Sequence, residues 1–194
     1  MESFFCKLYL KKIDEGMVIN MKKYRVEDKF CCTAHEMYQL QHRLNTVLKP
    51  DDNENSIEGY RVISLYFDDL TDSCLNSVKN GSYIRRKYRI RVYNNSFDII
   101  KLEVKEKKGN RVSKIAKPIS IEEMHKLMCG QCIPAVPSME DPAFLFNIAI
   151  QTQALRPKLI IAYERKAYIY DSDNVRITFD RNVRASRQIS DFGT

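Results

Sequence analysis

No stretch of this 194-residue chain approaches the roughly 18 consecutive apolar residues that a membrane-crossing helix needs. The opening MESFFCKLYLKKIDEG has too short an apolar run, and no small-residue cleavage site, to read as a secretory signal. Internal repeats and low-complexity tracts are absent, which excludes solenoid and fibrous classes. The six cysteines do not have the spacing of a disulfide framework, and a chain of this length does not need one, so a reducing, cytoplasmic compartment is expected. Cys129-Gly-Gln-Cys132 is a lone CxxC. No second pair or nearby histidine pair completes a zinc site, and the pair follows a helical stretch instead of opening one, so a structural role is expected.

What is present is an ordinary globular composition, 44% hydrophobic and 29% charged, with a net charge of +7 that is unevenly placed. Between Lys79 and Lys117 there are 13 Lys/Arg against 3 Asp/Glu, while the remainder carries 19 against 22. The basicity is therefore local, and a local field steers anionic ligands: nucleic acid, nucleotide, inorganic phosphate chains or acidic lipid. Length allows one domain with a substantial core, and the strongly patterned sequence begins at Met21. Residues 1–20 are thus read as an N-terminal extension and 21–194 as the domain.

The patterned region reads mostly as strands. YRVEDKFCC (24–32) is followed by helical periodicity from Thr33 to Leu48, with Thr33 and Glu36 spaced as a capping box. A loop over 49–59 leads to the strand YRVISLYF (60–67) and a short helix over 71–81 ending at Gly81. SYIRRKYRIRVY (82–93) and FDIIKLEVKEKK (97–108) form a hairpin across Asn94-Asn95. Gly109-Asn110 then turns into RVSKIAKPIS (111–120). Ser120 and Glu123 cap a helix to about Met128, and a proline-containing loop leads to a helix over about 140–154. RPKLIIAYERKAYIY (156–170) and NVRITFDRNVRAS (174–186) form a second long hairpin.

Each strand sets an ion-rich parity against an apolar one, because successive side chains point to opposite faces. KYRIRVY puts Lys87, Arg89 and Arg91 on one face, and the next strand gives Lys101, Glu103, Lys105 and Lys107. Two arrangements satisfy this antiparallel, strand-dominated α+β pattern. An open sheet can pack its apolar face on helices and leave the charged face in water. Alternatively, the sheet closes into a barrel, with helices outside and the charged residues lining a tunnel. Arg and Lys recur on at least four strands, and cations so concentrated repel unless an anion lies between them.

The ordered set DKF, SLYFDD, KYRIRVY, KLEVK, KIAK, RPKLIIAYER and NVRITFD resembles the VTC domain over about Tyr24 to Ala185. This is the polyphosphate polymerase domain of the vacuolar transporter chaperone family, a branch of the triphosphate tunnel metalloenzymes. The resemblance implies an antiparallel β tunnel with helices packed outside, binding ATP and inorganic polyphosphate. It implies transfer of the ATP γ-phosphoryl group to a polyphosphate chain, with Mn2+ or Mg2+. By position, Arg89, Arg91, Lys105 and Arg165 match the catalytic basic residues. Lys29, Lys114, Lys117, Tyr163 and Arg176 match further phosphate-binding positions. Such residue types suit phosphoryl transfer, which needs positioning and charge neutralisation more than covalent help.

The family completes its tunnel with a later V-L-E-V-K-like segment whose glutamate holds the metal, and this sequence ends at QISDFGT without one. Arg25 and Glu27 stand where related triphosphatases have two glutamates. The remaining candidate metal ligands are Glu27, Glu103 and Asp180. Ion pairs to Lys29 and Lys105 are expected for the first two, and a position near the strand end for Asp180. Binding without polymerase activity is the expectation for this chain, beside a triphosphatase and a full polymerase. An RNA-binding domain is disfavoured because exposed aromatics do not interleave the basic strands, so no nucleic acid is expected. A membrane-protein partner could hold the domain at the inner face of a membrane.

Overall fold

A computed structural model describes residues 4–10, 24–51, 59–170 and 175–193. Met21, most of the loop after Pro50 and the 171–174 turn lie outside the described residues. The elements are β1 (Phe4–Leu10), β2 (Arg25–Cys32), α1 (Ala34–Leu44), β3 (Lys49–Pro50), β4 (Tyr60–Asp68), α2 (Ser73–Lys79), β5 (Ile84–Tyr93) and β6 (Ser96–Lys108). They continue with β7 (Arg111–Pro118), α3 (Ile121–Met128), α4 (Pro142–Gln153), β8 (Arg156–Tyr170) and β9 (Val175–Ser186). No described helix is long and apolar enough to cross a membrane. Two compact units divide the chain: Met1–Val62 with Ala162–Arg184, and Ile63–Ile161 with Ala185–Thr194.

In the first unit, β1 pairs antiparallel with β2, Phe4 opposite Cys32 through Leu10 opposite Val26. On its other side β1 pairs with β9, Phe5 opposite Asp180 through Tyr9 opposite Arg176. The segment expected to be an extension therefore contributes a strand with partners on both edges. β3 pairs with β8, and β8 with β9. Thr33 caps α1 as its sequence spacing predicts, accepting from the Glu36 amide while Glu36 accepts from the Thr33 amide. The helix stops at Leu44, short of the expected Leu48, and residues 45–48 form a turn. Met37, Tyr168 and Phe179 form the core cluster, with the Tyr168 and Phe179 rings edge to face at 6.1 Å. Gly59 passes so close to the Arg165 carbonyl that a Cβ would lie 2.1 Å from its oxygen, and its φ of +96° also favours glycine.

In the second unit the strand order is β8-β4-β5-β6-β7. β5 and β6 join through Asn94 and Asn95 at φ 51° and 56°, the left-handed pair that a two-residue hairpin with right-handed twist requires. The β5–β6 register puts Lys87 opposite Lys105, Arg89 opposite Glu103 and Arg91 opposite Lys101. The β6–β7 register puts Lys105 opposite Lys114 and Glu103 opposite Ala116. The other parity, including Tyr88, Ile90, Leu102 and Val104, is buried. Helices lie against this face: Phe146 of α4 is fully buried, edge-on to Phe67 at 5.3 Å and to Tyr88 at 5.2 Å. Ser120 and Glu123 form the expected capping box on α3, and Asp141 caps α4 with Pro142 in the first turn.

Phe146 thus joins α4 to two neighbouring strands. Phe146→Ala removes a ring that nothing else can replace, at a cost of about 3–5 kcal/mol. Urea denaturation should show a correspondingly lower midpoint at unchanged slope. A loss below about 1 kcal/mol would mean that α4 does not hold the sheet.

Candidate phosphate-binding site

Glu103 lies near the middle of β6 and is completely buried. A buried carboxylate is costly unless charges and hydrogen bonds meet it, and here three cations do. Arg89 Nε donates to Glu103 Oε2 at 2.6 Å, and Lys114 Nζ donates to Oε1 at 3.2 Å. Arg91 Nη2 sits 3.6 Å from Oε2, beyond hydrogen-bonding reach. Arg89 Nη1 also donates to the Tyr66 hydroxyl on β4 at 2.9 Å. Antiparallel register explains the convergence, since Arg89 and Glu103 are directly opposed and Arg91 and Lys114 are diagonal neighbours on the same face.

The electrostatics follow from this packing. Burial would raise the Glu103 carboxyl, but Arg89, Arg91 and Lys114 outweigh it and hold it well below the usual carboxylate range. Lys114 is pushed down by burial and by both arginines, with Glu103 opposing. Burial pushes the Tyr66 phenol up, yet the charge and hydrogen bond of Arg89, helped by Arg91 and Lys87, bring it down to about 8. Three cations against one carboxylate leave an excess of positive charge. Two unit charges about 4 Å apart repel by about 4 kcal/mol at an effective dielectric near 20, so this excess is a substantial cost in the ligand-free protein. Arg91 shows the strain most clearly, being only 7% exposed with a buried Nε that has no hydrogen-bond partner.

This burial decides between the two arrangements left open by the pattern. The charged face around Arg91 and Glu103 is shielded, and is not a solvated outer surface. The structure brings Arg89, Arg91, Glu103 and Lys114 together, while Lys105 lies in the same sheet row as Lys87 and Lys114. The expected Glu103–Lys105 pairing is replaced by the three cations just described. Lys117 is a correction. Three residues from Lys114 in one strand, it falls on the opposite parity, opposite Leu102, and its Nζ reaches Asp141 at 3.4 Å on the helix side. Sequence reasoning overlooked Tyr66 and Ser64. Their alternate positions in SLYF, beside the basic strand, were the available signal.

The remaining candidates belong to the first unit, where charges are balanced. Arg165 donates from Nε and Nη2 to the two Asp180 oxygens at 2.7 and 2.9 Å, a buried bidentate pair, and its guanidinium carbon lies 5.0 Å from the Tyr163 ring centre. Asp180 is in mid-strand, correcting the expectation that it lies at a strand end. Arg176 binds Asp51 and donates to the Tyr60 hydroxyl at 3.0 Å. Lys29, largely exposed, lies 3.6 Å from the buried Glu27 carboxylate, the expected ion pair.

The metal expectation fares less well. Among the described residues no three His, Cys, Asp or Glu side chains converge as a cation site. Glu27, Glu103 and Asp180 each face Lys or Arg, and in Glu103 and Asp180 both carboxylate oxygens are engaged by those cations, a donor set that does not fit a divalent ion. All six cysteines are free thiols, and Cys129 is the C-cap residue of α3.

An antiparallel sheet that packs helices on one face and shields excess Arg and Lys on the other defines an α+β domain with a buried basic cluster. The model of the VTC domain matches residues 24–193, and the chain belongs to that family. No curated protein matches. Among 17 similar solved chains is the crystal structure of a candidate adenylate cyclase from Bacillus halodurans, with 12% identity, 78% of this chain and 76% of that chain covered, and a TM-score of 0.46.

Glu103→Gln keeps the shape and removes the charge, leaving Arg89, Arg91 and Lys114 uncompensated. A loss of about 3 kcal/mol or more is expected near pH 7. Because the folded carboxyl is depressed, its contribution is complete above the ordinary value of 4.5 and declines as pH falls below it. The gap between wild type and variant should therefore narrow in acid. Denaturation curves across that range decide, and a gap independent of pH would show that Glu103 is not the counter-ion.

Proposed function

We propose that this domain binds the triphosphate of a nucleotide, or a linear inorganic polyphosphate, through the charged face of β5, β6 and β7. The observation that carries this reading is the shielded excess of Arg89, Arg91 and Lys114 over the single carboxylate of Glu103. Arg89 and Arg91 supply rigid guanidinium forks for phosphoryl oxygens, and Lys114, with Lys105 and Lys87 in its row, supplies more mobile ammonium groups. Glu103 orients the cations without neutralising them. Bound phosphate would supply the missing negative charge. Within the first unit, taken by itself, Arg165, Tyr163, Arg176 and Lys29 are proposed as phosphate-binding residues.

The family activity is transfer of the γ-phosphoryl group of ATP to a polyphosphate chain, with a divalent metal. For that reaction the residues of this chain would hold the transferred group in line and offset its charge, which is most of what phosphoryl transfer asks of a protein. No step is assigned to a metal, because the carboxylates present do not fit one. The binding-only reading is favoured by the same observation: the carboxylates that could hold a divalent ion are each engaged by Lys or Arg. Incubation of the chain with ATP and Mn2+, followed by separate assays for polymer and released phosphate, is expected to yield neither. Robust polymer synthesis would overturn binding only, and phosphate release alone would make it a triphosphatase.

Arg91→Ala should weaken tripolyphosphate binding by about tenfold or more, the scale of one charge-assisted contact. Its Tm should hold or rise, because the residue removed is buried and poorly compensated. Calorimetric titration beside a thermal melt tests both. A variant that unfolds while binding per folded molecule is unchanged would refute the assignment. In the wild type, saturating tripolyphosphate should move the Tyr66 ionisation upward from about 8, because the anion offsets the Arg89 charge. Ultraviolet phenolate absorbance reads that shift, and an unmoved titration would place the anion elsewhere.

A further inference from the structure

Ser64 is fully buried near the middle of β4, and its hydroxyl has no hydrogen-bond partner. That is an uncommon condition, since buried hydroxyls nearly always find an acceptor. Strand alternation fixes which way it faces. Phe67, on one parity of β4, packs on Phe146 of α4, whereas Tyr66, on the other, meets Arg89. Ser64, two residues from Tyr66, therefore shares the charged face.

Its neighbour on that face follows from strand direction. Phe67 of β4 and Tyr88 of β5 pack on the same Phe146 ring, while Tyr66 meets Arg89, so a step forward on β4 is a step back on β5 and these adjacent strands run antiparallel. With Tyr66 at Arg89, moving two residues back on β4 and two forward on β5 brings Ser64 to Arg91. The two buried donors without partners in this unit, Ser64 Oγ and Arg91 Nε, are therefore juxtaposed in the row beside the Glu103 cluster. Each donor lacks an acceptor, and the local charge excess calls for an anionic one.

We infer that Ser64 is a further binding residue, whose hydroxyl donates, together with Arg91 Nε, to a non-bridging phosphoryl oxygen of a condensed phosphate chain. The inference rests on the reading of this face as phosphate-binding. A hydroxyl adds what the cations cannot: a short, uncharged donor that fixes the position of one oxygen without adding to the repulsion among Arg89, Arg91 and Lys114. A hydroxyl of this kind is poorly satisfied in the ligand-free protein and well satisfied only with the anion bound, so its contribution falls on binding and not on folding.

Ser64→Ala in the full 194-residue chain, titrated calorimetrically with sodium tripolyphosphate, is the test. The expected result is a Tm equal to or above that of the wild type and an affinity lower by about tenfold, the scale of one hydrogen bond to a charged group. Unchanged affinity would overturn the Ser64 assignment while leaving the phosphate-binding reading intact. A clearly lowered Tm with unchanged affinity per folded molecule would show a structural hydroxyl, and would equally overturn it. If the wild type itself binds no tripolyphosphate, both the site reading and the role of Ser64 fall.

Discussion

The second unit depends on how one buried carboxylate meets three cations. Glu103 makes it possible to bury Arg89, Arg91 and Lys114 together, and those cations in turn keep Glu103 ionised. Neither half is tolerable alone in a site of low dielectric. The balance is incomplete in one sense: the cluster sets one negative charge against three positive ones. The Arg165–Asp180 fork in the first unit is by contrast a one-to-one pair, with both carboxylate oxygens filled.

The antiparallel ladder makes the cluster possible by separating two chemistries across one backbone. On the parity of Tyr88, Ile90, Leu102 and Val104, helix packing supplies the hydrophobic stabilisation. On the parity of Arg89, Glu103 and Lys114, the same strands hold charges at fixed spacings, because the register leaves side chains on adjoining strands about 5 Å apart. Moving the β5–β6 register by one residue would send Arg89 and Arg91 to the helix side, so the Asn94-Asn95 turn that sets the register is also part of the site's construction.

Much of this was legible beforehand where short-range chemistry decides. The capping boxes at Thr33 and Ser120, the Asn-Asn hairpin and the long β8–β9 pair all follow from spacings of a few residues. The errors came where a residue's neighbours are remote in sequence. Family position groups Lys117 with Lys114, although an interval of three in a strand sends the two to opposite faces. Glu103 was paired with Lys105, its strand neighbour, but side chains two apart on one strand are farther from each other than from residues on adjoining strands. That Phe4–Leu10 forms a strand is not legible locally, because its partners are β2 and β9, the latter some 170 residues away in sequence.

The sequence by itself determined the alternation of charged and apolar parities, and with it the basic row of Lys87, Arg89 and Arg91, because side-chain direction in a strand is a property of the backbone. It also carried the order of motifs that places the chain in its family. Whether that row faces water was not encoded in any local pattern, since an open sheet and an enclosed one share the same alternation. Tertiary structure decided it by burying Arg91 and Glu103 and by drawing Lys114, Tyr66 and Ser64 from two other strands to the same face. Those contacts depend on the register between strands, and their energy depends on the exclusion of water, which only the assembled sheet provides.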